Sequence, residues 1–192
     1  MNKDETRWLT DVEAAAWIPL LSTAMRLPAA LDLQLQAAAG LSNFEYGVMA
    51  GLSMQEETTM RMSELARLAN SSLPRLSKVI DRLDLSGWVV RRADPTDGRS
   101  ILATLTPLGV EKVKATAPGH VARVRQLIFD QLTPAQVRQL ASIMGKISAA
   151  LGHDPEFLQR PSIARGRGPR ASVRGIRPLK PASRTVNGTL VR

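Results

Sequence analysis

The sequence predicts a mainly α fold that carries one small β-hairpin, and three observations predict it. Apolar residues recur every three or four positions through most of the first 152 residues. Two short helical patterns joined by a tight turn lie between Ser63 and Leu85. Directly after them, two strand-like runs flank a turn-rich stretch, from Trp88 to Leu105.

Taken in order, Thr10-Asp11-Val12-Glu13 is a capping box, in which the Thr hydroxyl and the Glu carboxylate satisfy free amides at a helix start. Trp17, Leu21, Ala24, Leu27, Leu31 and Leu35 then share one face, and Gly40 suits a left-handed stop, so a helix is expected over residues 10–39. Pro19 and Pro28 break its hydrogen-bond ladder, which predicts kinks or a split. Ser42-Asn43-Phe44-Glu45 is a second capping box, opening a helix through Tyr46, Met49 and Leu52. Ser53 to Arg61 is polar and mixed, without a pattern. Ser63 is expected to cap the next helix, and Asn70-Ser71-Ser72 to form a turn. Leu73 then begins a helix running to about Leu85, with Pro74 in its first turn. Gly87 ends it; Trp88 to Arg92 and Ser100 to Leu105 form the hairpin, the second strand setting Ile101, Ala103 and Leu105 on one side. Thr106-Pro107 opens a long helix interrupted by Pro118-Gly119, and Thr133-Pro134-Ala135-Gln136 opens the last one, striped by Val137, Leu140, Met144, Ile147 and Leu151. The whole is a winged helix-turn-helix core, α+β in class, flanked by long helices.

Charge divides the chain near Gly152. Residues 1–152 hold 17 Lys and Arg against 15 Asp and Glu, whereas residues 153–192 hold 9 against 2. The second stretch has few large apolar side chains and is expected to stay disordered. A basic balance favours polyanionic partners. There is no cysteine, so disulfides, thiolate metal sites and thiol-based sensing are excluded. His120 and His153 are the only histidines; there is no metal-spaced cluster, P-loop, dinucleotide fingerprint or nucleophile elbow, and neither an enzyme, a metal nor a cofactor is expected. The uncharged run from Ala14 to Met25 is short for a membrane span and lacks a cleavage signal, which predicts a cytoplasmic protein without a membrane partner.

The helix beginning at Leu73 has the form of a recognition helix, since a major groove admits one α-helix whose first turns reach base edges and phosphates. Leu76, Val79, Ile80 and Leu83 face the core; Pro74, Arg75, Ser77, Lys78, Asp81 and Arg82 face away. Arg75 suits a guanine edge, Lys78 and Arg82 suit phosphates, and Ser71, Ser72 and Ser77 are hydroxyl donors. An amphipathic helix with a solvated face has the same pattern. In the hairpin, Arg91 and Arg92 lie at the base and Arg99 is expected at the tip, where an inserted arginine suits a narrow minor groove. Asp94 and Asp97 repel phosphate, so their expected task is to orient Arg99 and, with Gly98, to shape the turn.

Asp94-Pro95-Thr96-Asp97-Gly98-Arg99 resembles the Asp-Pro-x-Asp-x-Arg wing motif of the MarR-type (multiple antibiotic resistance) transcriptional regulators. Leu85 to Arg91, Ser63-Glu64-Leu65-Ala66 and Leu105-Thr106-Pro107-Leu108-Gly109 are similar to that family's segments before the wing, at the first helix of the pair and after the wing. The likeness runs from Trp8 to about Leu151. It implies a homodimer joined through its first and last helices, residues 10–39 and 106–151, with a DNA-binding core at residues 42–105. It further implies a repressor of a double-stranded operator, released by a small aromatic or phenolic effector, with recognition helices about 34 Å apart. Pro28 and Pro118, and the basic tail, depart from the family's pattern.

In that tail, Arg165-Gly166-Arg167-Gly168-Pro169-Arg170 resembles a minor-groove AT-hook interrupted by a glycine, but the favoured reading is a flexible arm making phosphate contacts through Arg165, Arg167 and Arg170. Two other functions fit the residues. One is a sequence-tolerant architectural protein using wing and tail, the other a winged helix used for protein contacts.

Overall fold

The computed structural model describes residues 6–152; the basic tail with Arg165, Arg167 and Arg170 lies outside the described residues. Thr10 caps α1 (Asp11–Ala39), its hydroxyl accepting from the Glu13 N–H while the Glu13 carboxylate accepts from the Thr10 N–H at 2.8 Å. The helix stops at Gly40, whose φ of +66° lies in the left-handed region glycine adopts without strain. Pro19 and Pro28 do not split it. Each removes one ladder bond, and the turns on either side carry the helix through. Ser42 and Glu45 repeat the reciprocal cap at α2 (Asn43–Ser53), and Asp32 of α1 accepts from the Asn43 N–H at 2.8 Å, tying the two helices together at their junction.

Glu57 and Thr58, both with positive φ, turn the chain into a strand absent from the sequence-based expectation, β1 (Thr59–Arg61). It runs straight into α3 (Met62–Leu68), so the residue flanking that helix is Arg61, and Ser63 lies inside its first turn rather than capping it. Asn70 takes a φ of +45° in the turn, and α4 (Leu73–Leu85) follows with the expected bounds. Gly87, φ +71°, leads to β2 (Val89–Asp94) and β3 (Asp97–Leu105). The sheet is antiparallel in the order β1-β3-β2, with Thr59 opposite Thr104 and their hydroxyls 2.9 Å apart.

Thr106 caps α5 (Pro107–Leu127), accepting from Gly109 N–H and donating to the Gly87 carbonyl at 2.7 Å. A Cβ on Gly109 would stand 2.1 Å from the Trp88 carbonyl oxygen, so only glycine lets the helix approach the wing base this closely. Pro118 lies within α5 without ending it. Finally, α6 (Pro134–Ala150) opens on a Thr133–Gln136 capping box.

The core is concentrated in the middle of the chain. Leu35, Met49, Leu52, Leu65, Leu76 and Ile80 are fully buried, drawn from α1, α2, α3 and α4. Each such side chain is worth about 1.5–3 kcal/mol of burial. In contrast, α1 buries Leu35 alone and α6 buries nothing.

Candidate nucleic-acid interface

The outer side of α4 separates into three strips. Towards the wing, Ser77 and Asp81 hold Arg91 of β2: its guanidinium donates to the Ser77 carbonyl at 2.7 Å and hydroxyl at 3.0 Å, and pairs with Asp81 at 2.8 Å. Towards α2, Arg82 donates to the Glu45 carboxylate at 2.9 Å and Arg75 lies over the Phe44 ring at 4.9 Å. Between these strips Pro74 and Lys78 are exposed, beside the exposed helix-flanking Ser72. Ser71 is half-buried, its hydroxyl donating to the Ser72 carbonyl.

Arg82, expected to meet phosphate, and Arg91, expected at the base of the wing, therefore both have partners inside the chain. Glu45 explains why Arg82 is held. Burial pushes its carboxyl up, but the Ser42 amide and hydroxyl together with Arg82 prevail and hold it below the ordinary carboxylate range. Glu45 is only 9% exposed, so withdrawing Arg82 would leave a buried charge without its cation. Arg75 is exposed and its cation–π contact is a weaker hold.

The wing is organised by its two aspartates, which shape the turn as expected but do not hold the Arg99 side chain. Asp94 is buried and accepts from the Thr96 hydroxyl at 2.7 Å and the Thr96 N–H at 2.8 Å, an Asx-turn, and from Arg61 of β1 at 2.8 Å. The Thr96 donors first, and Arg61 after them, hold its carboxyl down at about 2. Asp97 accepts from the Ser100 hydroxyl and from the backbone N–H of Arg99, and both lower its carboxyl. Neither carboxylate bonds the Arg99 guanidinium; they fix the backbone on which it stands.

The position of Arg99 also needs correction. Asp94 pairs with Asp97 across a two-residue Pro95-Thr96 turn, so the tip is Pro95-Thr96 and Arg99 lies on β3 behind it. Ala93 pairs with Ile101, which leaves Gly98, Arg99 and Ser100 without cross-strand partners. An irregularity of this kind re-aims a side chain out of the ladder. Arg99 and Arg92 are exposed and, among the described residues, make no ion pair.

Glu45, Phe44 and Arg61 escaped the sequence reading. Arg61 stands in the segment without a pattern, 33 residues from the carboxylate it meets. The Glu45 capping box was legible, but its second use depends on α4 lying alongside.

The MarR family model matches residues 39–100. The chain is similar to Sco3205, a MarR family transcriptional regulator from Streptomyces coelicolor whose crystal structure is in complex with DNA: identity is 42%, coverage 78% of this chain and 93% of that one, TM-score 0.73. AbsC, a MarR family transcriptional regulator from the same organism, is 37% identical over 77% of this chain and 99% of its own, TM-score 0.71. Among curated proteins, the transcriptional repressor MprA of Escherichia coli is 27% identical over 59% of this chain, and the uncharacterized regulator YkoM of Bacillus subtilis 38% over 35%. These alignments span 64% and 44% of the two relatives' own lengths. Winged fold, wing motif and near-complete overlap with Sco3205 agree, and the chain belongs to the MarR family of DNA-binding transcriptional regulators.

Proposed function

We propose that the chain is a dimeric, sequence-specific repressor that reads a two-fold duplex site and leaves it when a small effector binds. The observation that carries this reading is the pairing of an outward α4 strip, Pro74 and Lys78 with Arg75, with a bulged wing that projects Arg99. A helix in the major groove and an arginine in the adjacent minor groove use those two elements without disturbing Arg82 or Arg91.

Dimerisation is supported by surfaces the single chain leaves bare. Trp17, Ile18 and Met25 of α1 are 50%, 66% and 72% exposed, and Ile143 of α6 is 53% exposed. Exposed apolar side chains on two long helices ask for a second surface. By length and composition alone α1 would also cross a bilayer, with a mean hydropathy of 1.2 in its most apolar window. Its cap on α2 through Asp32 and its membership of this fold favour a partner helix instead.

Effector release is supported where α1, α2 and α5 meet. Gln34 Oε1 and His120 Nδ1 are buried there without hydrogen-bond partners among the described residues, and His120 packs on Tyr46 with ring centroids 4.7 Å apart. Buried polar atoms without partners are costly, and a ligand group or water that bonds them removes the cost. Burial also holds the His120 imidazole below its ordinary range, so it is neutral at neutral pH.

The test is competition. A selected duplex should outcompete random duplex by about a thousandfold or more. Equal competition would make the chain the sequence-tolerant architectural protein, and no duplex binding at low salt would make it a protein-contact module.

A further inference from the structure

A cleft of about 250 Å³ lies between α4 and the wing. Its polar lining is Arg61, Arg91, Arg99, Ser63, Ser77 and Ser100, and it contains no carboxylate residue. We propose that this cleft is a phosphate site, which takes one phosphodiester of the DNA strand running between the major and minor grooves. The proposal rests on the duplex-binding reading and adds to it a contact that belongs to neither helix nor wing alone.

Groove geometry leads to it. Adjacent major and minor grooves on one face of a duplex are separated by a single sugar–phosphate strand. A protein with α4 in one and Arg99 in the other straddles that strand, which then passes over the cleft. The lining chemistry fits what must pass. Arg91 gives one terminal nitrogen to Ser77 and Asp81, which holds its charge beside the cleft. Ser77 Oγ accepts from Arg91 and so keeps its own proton to donate. Ser63 is exposed along the same cleft, and Arg99 supplies a charge that no described carboxylate pairs. Ser100 is spent on Asp97, and Arg61 is spent on Asp94. A phosphate oxygen would thus find two hydroxyls and one cation, donors that form strong charge-assisted bonds to an anion.

The experiment uses the full chain and the duplex recovered by selection, with each phosphate in turn replaced by a neutral methylphosphonate. In the unsubstituted protein one linkage per half-site should weaken binding about tenfold. The Ser63→Ala/Ser77→Ala variant should itself bind about tenfold more weakly, and at that one linkage methylphosphonate should cost it less than about threefold, the non-additivity of groups in contact. Lys78→Ala serves as the control, weakening binding while keeping the full penalty at that linkage. Penalties that simply add at every linkage would overturn the cleft assignment while leaving duplex binding intact, whereas loss of all duplex binding in the unsubstituted protein would overturn the function on which it rests. Inorganic phosphate, at ionic strength matched with chloride, separates the two sources of the anion. It should displace no more duplex than chloride does, and a displacement that the double variant abolishes would give the cleft to free phosphate and overturn the DNA assignment.

Discussion

The 13-residue helix α4 buries Leu76, Val79, Ile80 and Leu83, whereas the 17-residue α6 buries no residue at all. The same contrast holds between regions: α2 through β3 supply most of the buried apolar side chains, while α1 and α6 leave Trp17, Ile18 and Ile143 at least half exposed. On the proposed function, the region that reads DNA is complete in a single chain, whereas the arms await a second copy. If reading and pairing are divided in this way, substitutions in one region should leave the other standing.

The largest expected effect breaks the arms. Ile143→Asp with Ile18→Asp should convert the protein to a monomer in light scattering, keep its helical circular dichroism, and lower affinity for a two-fold duplex by about 10²- to 10⁴-fold, the loss of one linked reader. A dimer that persists would show that these faces do not pair. Next, Arg99→Ala should weaken duplex binding by more than about tenfold without altering the dimer, as loss of a buried charged contact does. Binding left unchanged would remove the wing from the interface.

A smaller effect sharpens the account of the recognition helix. If Arg82 braces α4 against Glu45 and stays off phosphate, Arg82→Gln should lower the thermal midpoint while the slope of log affinity against log salt stays constant; a phosphate ligand would reduce that slope by about 0.9. Glu45→Gln should lower the midpoint likewise, because each removes one member of a pair whose carboxylate is buried.

The smallest effect concerns pH. Asp94 titrates near 2 in the folded wing, against 3.8 ordinarily, so its contribution to stability is whole above about pH 5 and fades as pH falls through the folded value. The urea midpoint of the unsubstituted protein should drop more steeply between about pH 5 and pH 2 than that of Asp94→Asn. Parallel curves would mean that the Thr96 and Arg61 bonds do not stabilise the fold.

The sequence made local structure legible and tertiary pairing illegible. Capping boxes at Thr10, Ser42 and Thr133, and the Thr106-Pro107 start, concern residues three or four apart and appear as expected. The three-residue β1 carries no pattern of its own and exists because β3, more than 40 residues on, offers it a ladder. Arg82 read as a phosphate ligand because it is a cation on an outward face, and Arg91 as part of the wing base; that Glu45 and Asp81 stand opposite them depends on how the helices and wing pack. The wing motif was legible as a pattern and misread as geometry, since the Asp94–Asp97 pairing sets Arg99 behind the tip.

Selection of duplexes from a random pool by the full chain tests the central claim most directly. A pair of complete reading heads joined by apolar arms predicts an inverted repeat whose half-site centres lie about one helical turn, or roughly 34 Å, apart. Enrichment of a lone, asymmetric site, or of no sequence at all, would contradict it.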